Sequence, residues 1–163
     1  MIYVFDLDDT LLQVDKKTLE NSFYLELYPA NVLPTIQLFK TIDCMKFIMT
    51  NRHPICAHEI ANIFNIPITQ VLCRNYALSL KDVYQTVTGF KNQNKSIMEK
   101  FLSDMVIDKI NKLNKLRKGF NDSIVFFDDM YELFKEQIKK SGLKLERGIM
   151  IKEPLKNFTL ILK

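Results

Sequence analysis

Met1-Ile2-Tyr3-Val4-Phe5-Asp6-Leu7-Asp8-Asp9-Thr10-Leu11 is the stretch that decides how this chain reads. Ile2 to Phe5 is an apolar run of strand length, and its lack of polar alternation predicts a strand buried on both faces. The run stops at carboxylates spaced Asp6-x-Asp8-x-Thr10. In an open α/β sheet, ligands gather at the carboxyl ends of central strands. Two acids two residues apart at that edge can share one site and take different roles there, which predicts a catalytic arrangement.

Working outward, short apolar runs recur at Met45–Met49, Gln70–Cys73, Ile124–Phe127, Gly148–Ile151 and Phe158–Leu162. Amphipathic segments lie between them. One runs near Asn31 to Ile42, and another runs from His53 to Phe64 with Pro54 in its first turn, where proline is tolerated. The longest, Ser96 to Arg117, places Met98, Phe101, Leu102, Met105, Val106, Ile110 and Leu113 on one face. Tyr131 to Lys140 is closed by Ser141-Gly142, a usual helix stop. Strands alternating with helices predict an α/β, Rossmann-like fold: a mainly parallel sheet with helices on both faces. Repeats and linkers are lacking, so residues 1–163 are expected to form a single domain.

With 47% hydrophobic and 26% charged residues, the composition is that of an ordinary globular chain, and no apolar run reaches the length of a membrane span. The first apolar run is short, lacks a basic start and ends in acids, so no secretion signal is expected and a cytoplasmic or nuclear compartment is implied. Cys44, Cys56 and Cys73 are odd in number and form no CxxC pair, which predicts buried free thiols rather than a zinc site or a disulfide. The net charge of +4 favours an anionic partner such as nucleic acid.

Three predicted strands end in polar residues, each differently. The first ends in Asp6-Leu7-Asp8-Asp9-Thr10, the second in Thr50-Asn51-Arg52 and the fourth in Asp128-Asp129, while Lys95 stands just ahead of the longest helix. In this order the pattern resembles the haloacid dehalogenase superfamily of phosphohydrolases. That family's four motifs are a strand ending in DxDx[T/V], a strand ending in Thr or Ser, a lysine, and a strand ending in paired acids.

The resemblance implies a HAD-like phosphatase using Mg²⁺. Asp6 would attack phosphorus to form an aspartyl-phosphate, and Asp8 would act as general acid and then as general base. Asp6, Asp8 through its backbone carbonyl, Asp128 and Asp129 would surround Mg²⁺, an ion that prefers oxygen ligands. Thr50, Asn51 and Lys95 would hold the phosphate, and Thr10 would brace the loop after the first strand. Lys91, four residues earlier, competes with Lys95 for the lysine role.

Structural readings of the same residues stand beside these. Asp8 and Asp9 also suit a solvated turn, while Asp128, Asp129 and Thr50 suit helix caps. Arg52 and Arg74 suit either substrate contact or a structural salt bridge. Many members of the resembled family cover the site with an inserted cap. Here residues 12–41 and 76–93 are too short for a large one, which implies a capless enzyme with an open site. Such a site admits a phosphate carried on something large. Capless polynucleotide 3′-phosphatases and capless phosphatases of the polymerase tail both resemble this chain, and a non-catalytic module binding Mg²⁺ and an anion is a third alternative.

Overall fold

A computed structural model describes residues 1–8, 10–11, 36, 39–52, 54–74, 85, 88–89 and 92–150. Five strands form one sheet: β1 (Ile2–Asp6), β2 (Met45–Met49), β3 (Val71–Leu72), β4 (Ile124–Asp128) and β5 (Arg147–Met150). Their order is β3-β2-β1-β4-β5, and every neighbouring pair is parallel. β1 is therefore central, hydrogen-bonded to β2 on one side and β4 on the other. Three helices are described over their full length: α1 (Pro54–Ile63), α2 (Lys95–Phe120) and α3 (Tyr131–Ser141). Residues 39–41 are also helical. The fold class expected from the sequence is present.

Side chains alternate between the two faces of a strand, and that period of two divides the core. On one face Phe5, Ile48, Val125 and Phe127 pack with Ile36 and Phe39 and with Ala57, Ile60 and Ala61 of α1. Rings dominate this side: Phe5 stacks on Phe127 at 4.4 Å and meets Phe39 edge-on at 5.4 Å. On the other face Ile2, Val4, Met49, Ile124 and Phe126 pack with Met105, Val106, Ile110 and Leu113 of α2 and Phe134 of α3. Phe5, Phe126, Phe127 and Phe134 are fully buried, each contributing roughly 1.5–3 kcal/mol of burial energy.

The same alternation fixes the polar ends. Asp6 follows Ile2 and Val4 in parity, and Asp128 follows Ile124 and Phe126. Both carboxylates therefore point to the α2 side of the sheet at its carboxyl edge.

The helices start and stop for local reasons. Asn94 caps α2 by accepting the Ile97 N–H at 3.2 Å, and Asn121 ends that helix in the left-handed region at φ 49°. Gly142, at φ 70°, ends α3 as the sequence predicted. Strand and helix limits otherwise shift by a residue or a few: Gln70–Cys73 contracts to Val71–Leu72 after a 3₁₀ turn at Ile68–Gln70, and α2 extends beyond both expected ends. Cys44 and Cys73 are in no disulfide, and both are half-buried rather than buried, while the Cys56 side chain lies outside what is described. The Phe158–Leu162 strand, Lys91, Asp9, most of the Asn31–Ile42 helix and nearly all of the segments on which the capless expectation rests lie outside the described residues. No described helix is long and apolar enough to cross a membrane.

Candidate active site at the carboxyl edge of the sheet

Asp6 and Asp128 end neighbouring strands and are almost fully buried, at 6% and 1% exposure. Two like charges so placed need a cation between them, and the chain supplies Lys109. Its ammonium lies 2.6 Å from Asp6 Oδ1 and 2.8 Å from Asp128 Oδ2, and its own exposure is 3%. The Phe134 ring closes over it at 5.6 Å. Burial pulls the lysine towards neutrality, but the two carboxylates outweigh burial and raise its pKa above the ordinary value. Lys109 is therefore charged throughout the neutral range. Asp6 shows the opposite balance: burial and then the Asp128 charge raise its pKa well above the usual carboxylate range, and Lys109 reverses only part of that rise.

Thr10 ties the two acidic ends together. Its hydroxyl, fully buried, lies 3.4 Å from Asp6 Oδ2 as donor and accepts the Asp129 N–H at 3.1 Å. The turn that places it forms as the Leu11 N–H bonds the Leu7 carbonyl at 2.9 Å. Asp128 Oδ1 accepts the Met130 N–H at 2.8 Å, so this residue shapes the turn into α3 as well as the site. The bracing expected of Thr10 is present; Asp128, read from the sequence as a possible helix cap, instead bonds the Met130 N–H, and Met130 is the residue at the cap position of α3, which has no side-chain cap bond.

From the β2 side, Thr50 is fully buried, with its N–H bonded to the Leu72 carbonyl at 2.9 Å and its hydroxyl accepting the Arg52 N–H at 3.1 Å. The Arg52 guanidinium grips Asp8: Nε lies 2.9 Å from Oδ1 and 3.0 Å from Oδ2, and a terminal nitrogen lies 2.7 Å from Oδ1. The salt-bridge alternative for Arg52 is what the structure has, and it is made to a residue expected to do chemistry. Both amide atoms of Asn51 are shielded from solvent and make no hydrogen bond among the described residues. A buried amide without a partner is costly, and a ligand oxygen beside Thr50 could accept from its Nδ2–H and relieve the donor half of that cost.

Asp6, Asp128 and Asp129 bring one carboxylate oxygen each within 4.8 Å of one another. Three carboxylates this close, two of them paired with Lys109, form a set of hard oxygen donors that suits a divalent cation of the Mg²⁺ or Ca²⁺ type. Asp8 is not part of this cluster.

Lys95 is the expectation that the structure corrects. It is exposed at the start of α2, fourteen residues before Lys109, which is about 21 Å along a helix. A helix that begins that far from the acids can reach them only from its middle. The signal was present in the sequence: Lys109 lies between Val106, Ile110 and Leu113, inside the apolar stripe where a solvated lysine has no place.

No protein-family model matches the chain, and no curated protein matches it. Among solved structures, one described as DsGPDH of Dunaliella salina is similar, with a TM-score of 0.50 and 16% identity. The match covers 91% of this chain and 23% of that one. The likeness is one of fold, a Rossmann-like α/β architecture, and the chain spans less than a quarter of that protein's length.

Proposed function

We propose that this chain is a Mg²⁺-dependent phosphomonoesterase of the haloacid dehalogenase type. It would work through an aspartyl-phosphate on Asp6, on a large substrate such as a nucleic-acid 3′-phosphate end. The observation that carries this reading is Lys109 held between Asp6 and Asp128 at the ends of adjacent parallel strands, with Asp8 and Thr50 beside them.

Each residue has a role that its surroundings support. Asp6 is the nucleophile: its carboxylate oxygen forms the bond to phosphorus as the bond to the leaving oxygen breaks. Asp8, once it takes up a proton from solvent and loosens from Arg52, which holds both its oxygens in the free chain, donates that proton to the leaving oxygen. Asp8 then takes a proton from the water that attacks the phosphoryl group, which returns the Asp6 carboxylate and frees inorganic phosphate. Arg52 keeps Asp8 oriented. Lys109 offsets the charge of nucleophile and phosphate, and Thr50 and Asn51 supply donors to the phosphoryl oxygens. Asp6, Asp128 and Asp129 would hold the Mg²⁺, which would supply further positive charge at the phosphoryl oxygens.

The test is Mg²⁺-dependent phosphate release from a 3′-phosphorylated oligonucleotide, with Asp6→Asn as the blank. A 5′-phosphorylated oligonucleotide, a phosphoserine peptide and an aryl phosphate run alongside. Fastest release from the 3′ end supports the whole reading. Preference for the phosphopeptide replaces the substrate, and no release from any of the four refutes the chemistry.

A further inference from the structure

The grip of Arg52 on Asp8 ties the turn after β1 to the turn after β2. The two residues are 44 apart in sequence, and the guanidinium makes contacts of 2.7, 2.9 and 3.0 Å to the two carboxylate oxygens. Neither side chain is sealed in the core: the guanidinium is 12% exposed and the carboxylate 33%. The contact stands at the edge of solvent, where a ligand can compete for it.

The backbone under Arg52 belongs to the segment that offers donors to a phosphate. Its N–H donates to the buried Thr50 hydroxyl at 3.1 Å, which leaves that hydroxyl its own proton to give. Asn51, between the two, has an amide shielded from solvent and unbonded among the described residues. Three successive residues thus carry a hydroxyl donor, an amide donor and a forked cation. Lys109 is shared between Asp6 and Asp128, so a doubly charged phosphoryl group gains from a second cation. A phosphate presents paired oxygens to a guanidinium as a carboxylate does, and binds the same fork. A fixed strut between two turns is the competing account of the ion pair. It fits poorly with Asp8 as proton donor, because Asp8 can reach a leaving group only with an oxygen that the fork has left.

We propose that Arg52 is a phosphate ligand held in reserve: in the free chain Asp8 occupies its fork, and a phosphoryl group arriving at Thr50 and Asn51 takes the fork over and sets Asp8 free. Arg52 orients Asp8 in the resting site and binds substrate in the loaded one, so the proton donor is released only where a phosphate has arrived. The role of Asp8 rests on the phosphomonoesterase reading, but the change of partner can be measured without turnover.

The probe is inorganic phosphate, titrated into the full chain with Mg²⁺ at constant ionic strength and followed by isothermal titration calorimetry. Arg52→Gln and Arg52→Lys are each placed in an Asp8→Asn background, and melting curves confirm that each variant folds. No Asp8 charge is left there to be bared, so a loss reports what the guanidinium does for phosphate directly. Arg52→Gln is expected to weaken binding by about tenfold or more, the worth of charge-assisted hydrogen bonds. Arg52→Lys keeps the charge without the fork and is expected to recover only part of that loss. A loss of about twofold or less from Arg52→Gln is what a screened charge at a distance gives, and it overturns the contact. A lysine that binds as tightly as arginine overturns it too, as does an Asp8→Asn chain that binds no phosphate. In the parent chain the Arg52 Nε–H signal in an NMR spectrum, assigned by its loss in Arg52→Gln, is expected to shift on saturation with phosphate and to hold still in chloride. A signal that phosphate leaves in place means that the fork stays on Asp8, and the exchange is refuted. Release from the aryl phosphate by the parent chain is followed separately. Arginine losses and a shifted signal without release keep the exchange and remove the chemistry. Release without them keeps the chemistry and removes the exchange.

Discussion

Replacing Lys109 by methionine isolates the charge at the centre of the site. Methionine fills a similar volume and packs adaptably, so the cavity contribution is small and the cost is electrostatic. Lys109, Asp6 and Asp128 are at most 6% exposed, so the exposed-pair range of 0–1 kcal/mol does not apply. Removing one partner of a buried pair costs roughly 3–5 kcal/mol. Protonation of one aspartate limits that cost: holding a carboxyl neutral at pH 7 against a reference near 3.9 takes about 4 kcal/mol. The expected loss is therefore about 3–4 kcal/mol. For a chain of this size each kcal/mol lowers the melting temperature by about 2–4 °C, so Lys109→Met should melt about 6–16 °C below the parent in EDTA. Lys95→Met, altered at an exposed helix start, should stay within about 2 °C. Differential scanning calorimetry at pH 7 reads both. If Lys109→Met melts with Lys95→Met, the lysine does not hold the two acids together and the account of the site is wrong.

Other outcomes follow from the same geometry. Asp6→Asn should abolish phosphate release while melting within a few degrees of the parent, because Lys109 keeps Asp128 as partner; circular dichroism and a phosphate assay together check this. Arg52→Lys should lower kcat more than stability, since an ammonium cannot reproduce the forked grip on both Asp8 oxygens; steady-state kinetics beside a melt would show it, and unchanged kcat would remove Arg52 from the account. Mg²⁺ at a hundred times its dissociation constant should stabilise the chain by about 2.7 kcal/mol, and Asp128→Asn should abolish the rise in melting temperature that thermal shift detects. Gly148→Ala would drive a methyl group into the Tyr131 ring and should cost about 1–3 kcal/mol, read by urea unfolding.

Much of this architecture was legible because it depends on local pattern. The apolar runs that end in Asp6, Thr50 and Asp128 became strands at those places, since a run of that length between helical segments has few other ways to be buried. The lysine was not legible in the same way. α2 carries Lys95, Lys100, Lys109, Lys112, Lys115 and Lys118, and which of them meets the acids depends on how far along its axis the helix crosses the sheet edge. That depth is set by packing against Phe126 and Phe134, contacts distant in sequence. Position relative to the apolar stripe was the available clue, and proximity to the helix start was a weaker one. Arg52 was readable as a candidate, but its partner was not, because Asp8 lies 44 residues away on another strand end.

The alternation along β1 and β4 has a consequence for how this site could arise or be lost. Inserting or deleting one residue within Ile2–Val4 would turn Asp6 to the Phe127 side of the sheet and break every apolar match at once. Such a lesion admits no graded decline in activity. Changes in pairs restore the facing, so length variation tolerated at this edge should come in steps of two within the strand, or fall beyond Leu11. The position of the acids is thus inherited as a parity, and point substitution can tune the site but cannot relocate it.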